Sequence, residues 1–347
     1  MIDIDPYSLT RPLLFTLDPE TAHHMSISML PWMHRLGLLA SFLPRRVECP
    51  RTVMGLQFPN PVGLAAGLDK DGECIAAFGA MGFGFIEVGT VTPRPQPGNP
   101  APRIFRLPAA QAIINRMGFN NRGVDALVAR LQRRSFNGII GVNIGKNRDT
   151  PLEQAADDYM VCLRKVYAHA DYVAVNISSP NTPQLRLLQT DAALSRLLAT
   201  LKSEQQRLVN ETGRTVPLAV KIAPDLSSDE VERIAQILLA EGVDGVIATN
   251  TTTERLAVAH LPHGGEEGGL SGAPLAARST EVVARLAAAL GGRIPIIGSG
   301  GILAPEDAVA KYAAGASLVQ LYTGLIYRGP ALVAEVAEVM CAKEQSA

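Results

Sequence analysis

Eight short apolar segments recur from Val62 onward, and a helical pattern follows each of them. The segments are continuous apolar runs, as expected of parallel strands that are buried on both faces. In chain order they span residues 62–67, 83–89, 139–143, 172–176, 218–222, 245–249, 294–298 and 318–322. Eight successive strand–helix units predict an α/β fold of the (β/α)8 TIM-barrel type. A doubly wound open sheet is the alternative, although eight strands would be many for it.

The first 50 residues precede this pattern and look different. A helix start is predicted at Asp18-Pro19-Glu20-Thr21. Apolar residues then follow at close to helical spacing, at Met25, Met29, Trp32, Met33, Leu36, Leu39, Phe42 and Leu43. This segment is either a helix packed against the barrel or a helical hairpin lying in a membrane interface. We therefore expect a small N-terminal helical extension, residues 1–50, before a barrel domain, residues 51–347.

Charge and motif content argue against several classes of protein. The chain has 32 basic and 33 acidic residues, whereas a nucleic-acid-binding protein usually shows a basic excess or stripe. The four cysteines include no C-x-x-C pair, and no H-E-x-x-H motif occurs, so no metal site is predicted. No run of 18 apolar residues is present, so no membrane-spanning helix is expected.

Polar groups and glycines follow the predicted strands. Amides, hydroxyls and the ammonium groups of Lys70 and Lys221 would meet at one mouth of a barrel, where the active site lies in this fold. Such a ring suits a flat, polar, anionic ligand. The segments GSGGI (298–302) and YTG (322–324) follow strands seven and eight, the usual place of a barrel phosphate site. The alternatives are glycines that only make tight turns and lysines that reach solvent from the surface.

The segment NISSPNTPQLR (176–186) places two serines directly after the fourth strand. None of the six histidines falls within a strand-end motif, so neither Ser178 nor Ser179 has an evident base. One interpretation is that a serine caps a turn beside Pro180. The other is that a serine transfers a proton with the help of a water molecule or another hydroxyl.

These residues resemble one family closely. The matching segments are GLAAGLDKDGE (63–73), EVGTVTPRPQPGNP (87–100), PRIFRL (102–107), INRMGFNN (114–121), NIGKN (143–147), NISSPNTPQLR (176–186), VKIAPDL (220–226), IATNTT (247–252), GGLSG (268–272), PIIGSGGI (295–302) and GASLVQLYTG (315–324). Together with DPETAH (18–23), they resemble the dihydroorotate dehydrogenases of the quinone-linked, membrane-associated class (class 2). One departure is Gln184, where the family usually has a small residue, often glycine, in a loop expected to close over substrate.

The resemblance implies a flavoenzyme of pyrimidine biosynthesis that binds one FMN per chain and oxidises dihydroorotate to orotate. Ser179 would be the catalytic base for the C5 proton, where soluble class 1 relatives carry cysteine, and the C6 hydride would pass to FMN N5. The implied substrate-binding residues are Lys70, Asn115, Arg116, Met117, Gly118, Phe119, Asn176, Asn181, Asn250 and Thr251. The implied cofactor-binding residues are Ala66, Gly67, Leu68, Asp69, Lys70, Thr90, Asn143, Asn176, Lys221, Thr249, Gly272, Gly301, Tyr322 and Thr323.

The resemblance also implies a second electron acceptor, a membrane quinone such as ubiquinone or menaquinone. His23, Arg106 and Tyr322 match positions near the quinone head group, and the N-terminal helices would form a membrane-facing tunnel. The expected location is peripheral, on the cytoplasmic side of a bacterial inner membrane, with no obligate protein partner. Three alternatives remain: a class 1 relative using fumarate or NAD, a flavin-free aldolase with a Schiff-base lysine, and a non-catalytic membrane-bound scaffold.

Overall fold

The computed structural model describes residues 6–39, 43 and 46–345. Its strands are β1 (Arg51–Val53), β2 (Leu56–Phe58), β3 (Val62–Leu64), β4 (Phe85–Val91), β5 (Ile104–Leu107), β6 (Ala112–Asn115), β7 (Ile139–Ile144), β8 (Tyr172–Asn176), β9 (Leu218–Ile222), β10 (Gly245–Ala248), β11 (Gly269–Gly272), β12 (Ile296–Ser299) and β13 (Leu318–Leu321). Its α-helices are α1 (Pro6–Thr16), α2 (Pro19–Arg35), α3 (Ile75–Ala80), α4 (Val124–Leu131), α5 (Ala155–Val166), α6 (Asp191–Thr212), α7 (Ser228–Ala240), α8 (Ala276–Leu290), α9 (Pro305–Ala313), α10 (Thr323–Arg328) and α11 (Ala331–Gln345).

Eight parallel strands close into a barrel in the order β3, β4, β7, β8, β9, β10, β12 and β13, and β13 pairs back with β3. All eight correspond to the predicted apolar segments: β8 and β9 match at both ends, and the ends of the other six differ by at most three residues. The (β/α)8 prediction is therefore confirmed, and the open sheet is excluded because its edge strands would not pair.

The barrel interior changes from apolar to polar along the strands. Because side chains alternate between the two faces of a strand, Phe85 and Glu87 of β4 both point inward. At the amino-terminal end, the β1–β2 hairpin brings Phe58 against Phe85, with ring centroids 5.2 Å apart, and an apolar cluster fills the interior. This packing closes one end, so the opposite end is left for a ligand.

Two long connections, which follow β4 and β10, contain a second sheet. In this sheet β6 pairs antiparallel with both β5 and β11. The strands β5 and β6 lie within residues 104–115, and β11 spans residues 269–272. Arg103, just before β5, forms an ion pair with Glu20 of α2, Nη2 to Oε1 2.6 Å, and α2 packs on β5 and α3. The sheet therefore connects the N-terminal helices to the carboxyl end of the barrel.

Side-chain caps mark the starts of two helices. Asp18 accepts the N–H of Thr21 at the predicted start of α2, and Ser227 and Glu230 form a capping box at the start of α7. Before α5, by contrast, a 3-10 turn at Leu152–Gln154 comes first and the α-helix begins at Ala155. α10, a short helix after β13, was not predicted.

A disulfide joins Cys49 to Cys341, with their Cα atoms 6.0 Å apart, and ties the start of the barrel domain to α11. Cys74 and Cys162 are free thiols, and both are buried. The spacing of the cysteines gives no sign of this pairing because 292 residues separate the two partners.

Candidate functional site

A cavity lies at the carboxyl ends of the barrel strands, and we call it the strand-end cavity. The predicted site residues that line it are Ala66, Gly67, Lys70, Thr90, Asn115, Met117, Gly118, Phe119, Asn176, Ser179, Asn181, Lys221, Thr249, Asn250, Thr251, Gly272, Gly301, Tyr322 and Thr323. The fold thus gathers side chains and backbone from every barrel strand except β7, whose end lies just outside the wall.

Several predicted residues do not line this cavity. The Asp69 carboxylate accepts the N–H groups of Glu73 and Cys74, at 2.7 and 2.8 Å, and burial raises its pKa to about 6. Arg116 turns outward to an ion pair with Glu266, 2.7 Å, and stacks on the ring of Phe105. The remaining predicted residues outside the lining are Leu68, which is buried in the core, Asn143, His23 and Arg106.

Asn143 lies one layer below the cavity wall and orients two residues of the wall. Its Oδ1 accepts hydrogen bonds from Thr90 Oγ1 at 2.6 Å and from Asn176 Nδ2 at 3.1 Å. Its Nδ2 donates to Glu87 Oε1 at 2.8 Å. Because the carboxylate of Glu87 can only accept, it fixes which way the amide of Asn143 points.

Glu87 is the centre of a buried polar layer beneath the cavity and is fully shielded from solvent. Its Oε2 accepts from Tyr172 Oη at 2.8 Å and Gln320 Nε2 at 2.7 Å, and its Oε1 lies 3.7 Å from Lys221 Nζ. Sequence reasoning missed Glu87. The available signal was a carboxylate inside the apolar strand FIEVGT, since a charge is almost never fully buried unless it is paired.

Ser179 lies in the cavity wall and is 6% exposed. Its Oγ accepts the N–H of Asn181 at 3.2 Å, the turn-capping contact that was one of the two interpretations. Ser178 is fully buried and its Oγ accepts from Asn250 Nδ2 at 3.0 Å. Within the described residues, no imidazole or carboxylate hydrogen-bonds to either serine hydroxyl. An acyl-transfer triad is therefore not built around them.

Amides and one ammonium group surround the space next to Ser179. Asn181 Nδ2 donates to the backbone oxygen of Asn115 at 3.1 Å, and Asn250 Oδ1 accepts the N–H of Thr251 at 2.8 Å. Burial lowers the pKa of Lys70 to about 8, and the positive charge of Arg103 acts in the same direction. The site can therefore donate and accept several hydrogen bonds and can hold an anion.

Arg186 fixes the loop that carries the serines. It donates to the carbonyl of Ser178 at 3.0 Å and to the carbonyl of Thr251 at 2.9 Å, and its Nη1 lies 2.7 Å from Asp225 Oδ2. Three barrel loops are joined by this one guanidinium group. The planar fork of arginine allows the three contacts to be made at once.

At the other end of the cavity, backbone groups replace side chains. Residues 299–301 and 322–324 line it, after β12 and β13. Gly301 has a φ of +76°, and a Cβ there would lie 2.2 Å from Ala276 Cα, so the loop packs directly on the start of α8. The glycines are therefore needed for a tight turn, and that turn also forms the cavity wall, so both interpretations of GSGGI apply.

The N-terminal helices lie beside the strand-end cavity. Burial lowers the pKa of His23 to about 3, and the charge of Lys70 contributes in the same direction. Arg106 donates to the carbonyl of Leu17 at 3.0 Å, and its guanidinium lies 4.6 Å from the ring centroid of Phe15. The contacts of Arg106 therefore hold the turn between α1 and α2.

Large apolar side chains on these two helices face outward. Those that are exposed on α1, on α2 and just after α2 are Leu9, Leu13, Met25, Met29, Trp32, Leu36 and Leu38. No helix in the described part of the chain is long and apolar enough to cross a bilayer. Among the same residues, no group of three or more His, Cys, Asp or Glu side chains is arranged to hold a metal ion.

Comparison with known proteins gives one consistent result. The family model for dihydroorotate dehydrogenase matches residues 49–343. The dihydroorotate dehydrogenase (quinone) of Nitrosospira multiformis is 61% identical over 96% of this chain and 96% of its own length. The enzyme of the same name from Pseudomonas paraeruginosa is 58% identical over 97% of this chain and 98% of its own.

A solved structure extends the likeness to three dimensions. The DHODH of Eimeria tenella, crystallised with ferulenol, matches with a TM-score of 0.86 and 41% identity, over 95% of this chain and 92% of that one. The curated relatives named above carry the quinone class in their names, which speaks against the class 1, aldolase and scaffold alternatives. The chain belongs to the quinone-linked (class 2) dihydroorotate dehydrogenases, flavoproteins that oxidise dihydroorotate in pyrimidine biosynthesis.

Proposed function

We propose that the chain oxidises dihydroorotate to orotate in the strand-end cavity, with one FMN per chain and with Ser179 as the base. The single observation that supports this most strongly is the meeting of Ser179, Lys70 and Lys221 in the wall of one cavity. Ser179 Oγ would take the C5 proton, and a bound FMN would supply the acceptor for the C6 hydride. A membrane quinone, ubiquinone or menaquinone, would be the second electron acceptor.

The residues present fit FMN. At one end of the cavity lies the Lys221 ammonium, and Gln320 Oε1 is buried there without a hydrogen-bond partner among the described residues. The polar edge of an isoalloxazine ring has acceptors, which the Lys221 ammonium could donate to, and an N–H donor, which Gln320 Oε1 could accept from. At the other end, the first N–H groups of α10 have no partner within their helix. Backbone N–H groups of this kind suit a phosphate.

FMN, when bound, supplies the hydride-accepting ring. Lys221 would stabilise the negative charge that grows on that ring during reduction, as a fixed positive group acts on a developing charge. The substrate lies between this ring and the asparagine side chains. Asn115, Asn181 and Asn250 would bind its amide groups, and Lys70 would bind its carboxylate.

Ser179 acts in an enclosed position. Its oxygen accepts the N–H of Asn181, so one lone pair of the hydroxyl is used within the turn. The hydroxyl hydrogen does not take part in that contact and can point in another direction. A serine hydroxyl is a weak base, so its proton must leave through water or another hydroxyl as the C5 proton arrives. Arg186 keeps the serine loop at the cavity through its contact with the Ser178 carbonyl.

The N-terminal extension, residues 1–50, is proposed as the quinone segment, and residues 51–347 as the FMN-binding barrel. Exposed side chains on α1 and α2, such as Leu13 (71%) and Trp32 (64%), give an apolar surface that suits the interfacial region of a membrane. His23, Arg106 and Tyr322 are proposed to lie near the quinone head group. Attachment would be peripheral, on the cytoplasmic side of a bacterial inner membrane.

An anaerobic absorbance experiment tests the proposal in one preparation. The purified full-length protein should show a flavin spectrum that bleaches with dihydroorotate and recovers when a ubiquinone analogue is added. A flavin that bleaches but does not recover would remove the quinone step. Well-folded protein without flavin, reconstituted with FMN and still inert, would remove the proposal as a whole.

A further inference from the structure

Lys311, on α9, is a buried cation for which the proposed chemistry has no role so far. Its side chain is fully shielded from solvent, and no carboxylate of the described residues lies within ion-pair distance. Its Nζ instead donates to Ser279 Oγ at 2.5 Å and Thr280 Oγ1 at 3.2 Å, both on α8. Burying an ammonium group among neutral partners is costly. A purely structural position would be filled at lower cost by an apolar side chain.

Asp307 acts on Lys311 electrostatically but does not neutralise it. Asp307, one turn earlier on α9, uses a carboxylate oxygen to accept the N–H groups of Leu303 and Ala304, both at 2.9 Å. Burial lowers the pKa of Lys311 to about 8, and the charge of Asp307 opposes this only in part. The positive charge of Lys311 is therefore available to a further anion.

Lys311 is connected to the wall of the strand-end cavity through one hydroxyl. Ser279 Oγ accepts from Lys311 and lies 2.9 Å from the backbone oxygen of Gly300, to which it donates. In a trans peptide the C=O and N–H groups point in opposite directions. The carbonyl of the Gly300–Gly301 peptide is held toward Ser279 of α8, so its N–H, that of Gly301, points away from that hydroxyl. Both glycines line the strand-end cavity.

Glycines make this close approach possible. A Cβ on Gly298 would lie 3.1 Å from Lys311 Cδ, and one on Gly300 would lie 2.9 Å from a methyl group of Leu275. Larger residues at either position would push the loop away from α8 and α9. The absence of side chains therefore brings the loop and the buried ammonium group together.

From this geometry we infer that Lys311 is a positioning residue for the phosphate group of the flavin. It acts in two ways: through Ser279 it fixes the direction of the Gly301 N–H, and it places a positive charge behind the loop that binds a dianion. A charge in a low-dielectric interior acts over a longer distance than one in water. The inference rests on the proposed FMN site and adds to it the residue that selects for the phosphate.

Comparison of FMN with riboflavin tests this directly, because riboflavin has the same ring and lacks the phosphate. Full-length protein is stripped of flavin and titrated with each compound, following the quenching of flavin fluorescence. Lys311→Gln keeps a hydrogen-bond donor and removes the charge. We expect the affinity for FMN to fall roughly tenfold or more, which corresponds to about 1.4 kcal/mol. The affinity for riboflavin should change less than about twofold, because riboflavin has no phosphate for the charge to act on.

Lys146 supplies a matched control. It is also a buried lysine, 2% exposed, and its Nζ donates to the backbone oxygens of Asn147 and Thr150 at 3.2 and 2.8 Å. It is not part of the cavity wall. Lys146→Gln should therefore change the affinities for the two flavins by the same factor.

Two outcomes would overturn the inference: equal weakening of both flavins in Lys311→Gln, or no weakening of either. Lys311→Met provides a second neutral variant if the first folds poorly. Failure of both to fold would assign the ammonium group to helix packing and would also overturn it. Wild-type protein that binds neither flavin would remove the proposed function itself, which is a distinguishable result.

Discussion

The Glu87 carboxylate and the Lys221 ammonium group face each other inside the barrel, with Oε1 and Nζ 3.7 Å apart and both side chains almost fully buried. Glu87 also accepts hydrogen bonds from Asn143, Tyr172 and Gln320. A carboxylate that accepts from this many donors keeps its neighbours in one arrangement. The polar layer is thus a rigid support for the residues above it.

Glu87→Gln should lower the free energy of unfolding by about 3 kcal/mol, the range for removing one partner of a buried ion pair. An amide has one oxygen, so at least one of the surrounding donors would also meet an N–H group. Urea denaturation of the flavin-loaded protein measures this. Tyr172→Phe, which removes one hydrogen bond and no charge, should cost only about 1 kcal/mol. Equal costs for the two variants would contradict the role of the charge.

Ser179→Ala should slow flavin reduction by dihydroorotate by roughly 10²–10⁴-fold, the usual contribution of a general base. FMN should stay bound, because the hydroxyl is proposed to act on the substrate and not to hold the flavin. Stopped-flow absorbance of the flavin is the measurement. Ser178→Ala is the matched control: its hydroxyl contacts Asn250, so a loss of about tenfold or less is expected. Near-normal reduction by Ser179→Ala would remove it from the base role.

Acid should destabilise the protein through His23. Its pKa is about 3 in the folded chain against an ordinary 6.5, so the unfolded chain binds more protons between these values. Stability therefore rises with pH across this window and is lost as pH falls below 6.5, by up to about 2 kcal/mol at pH 5. His23→Gln should flatten this part of the pH–stability curve, while His24→Gln, on an exposed neighbour, should not. Parallel curves for wild type and His23→Gln would refute the assignment.

Gln184 adopts a left-handed backbone conformation, with φ of 58° and ψ of 0°, immediately before the 3-10 turn Leu185–Gln189. A left-handed conformation favours glycine, which agrees with the expectation of a small residue, often glycine, at this position. Gln184→Gly should change the free energy of unfolding by less than about 1 kcal/mol, because relief of the backbone cost is offset by a more flexible unfolded chain. Gln184→Val should lower it by about 1–2 kcal/mol. Urea denaturation distinguishes the two, and a harmless valine would argue against the left-handed conformation.

Deleting residues 1–45 should abolish quinone-dependent turnover while dihydroorotate still bleaches the flavin. The reason is that most of the proposed quinone segment is removed and the barrel is retained. The measurement is turnover with a ubiquinone analogue in detergent, beside single-turnover flavin reduction. Full quinone turnover by the shortened chain would show that the N-terminal extension is not the quinone segment.

Point variants give the deletion a finer control. Leu13→Asp and Trp32→Asp introduce charges on the exposed faces of α1 and α2 and should reduce binding to phospholipid vesicles in a sedimentation assay. Leu256→Asp changes a leucine outside these helices that is even more exposed (89%), and this variant should bind as wild type does. Equal binding by all of these variants would place the membrane contact elsewhere.

Most of the barrel could be predicted from the sequence, because strand and helix periodicities are local. Each of the eight apolar runs became a barrel strand, and the capping box at Ser227 marked the start of α7. The chemistry at the strand ends was also visible, since a closed parallel barrel places the residues after each strand at one end. Nineteen of the predicted site residues lie in the wall of the strand-end cavity for this reason.

Tertiary structure alone decided which buried charges belong to the site. Glu87 lies in mid-strand, and its partners come from β7, β8, β9 and β13, which become neighbours only when the barrel closes. Lys311 looks like any helical lysine until α9 packs against α8. The same holds for Cys49 and Cys341, which are 292 residues apart. Local patterns fix where strands and helices form, while contacts between distant residues depend on how those elements pack.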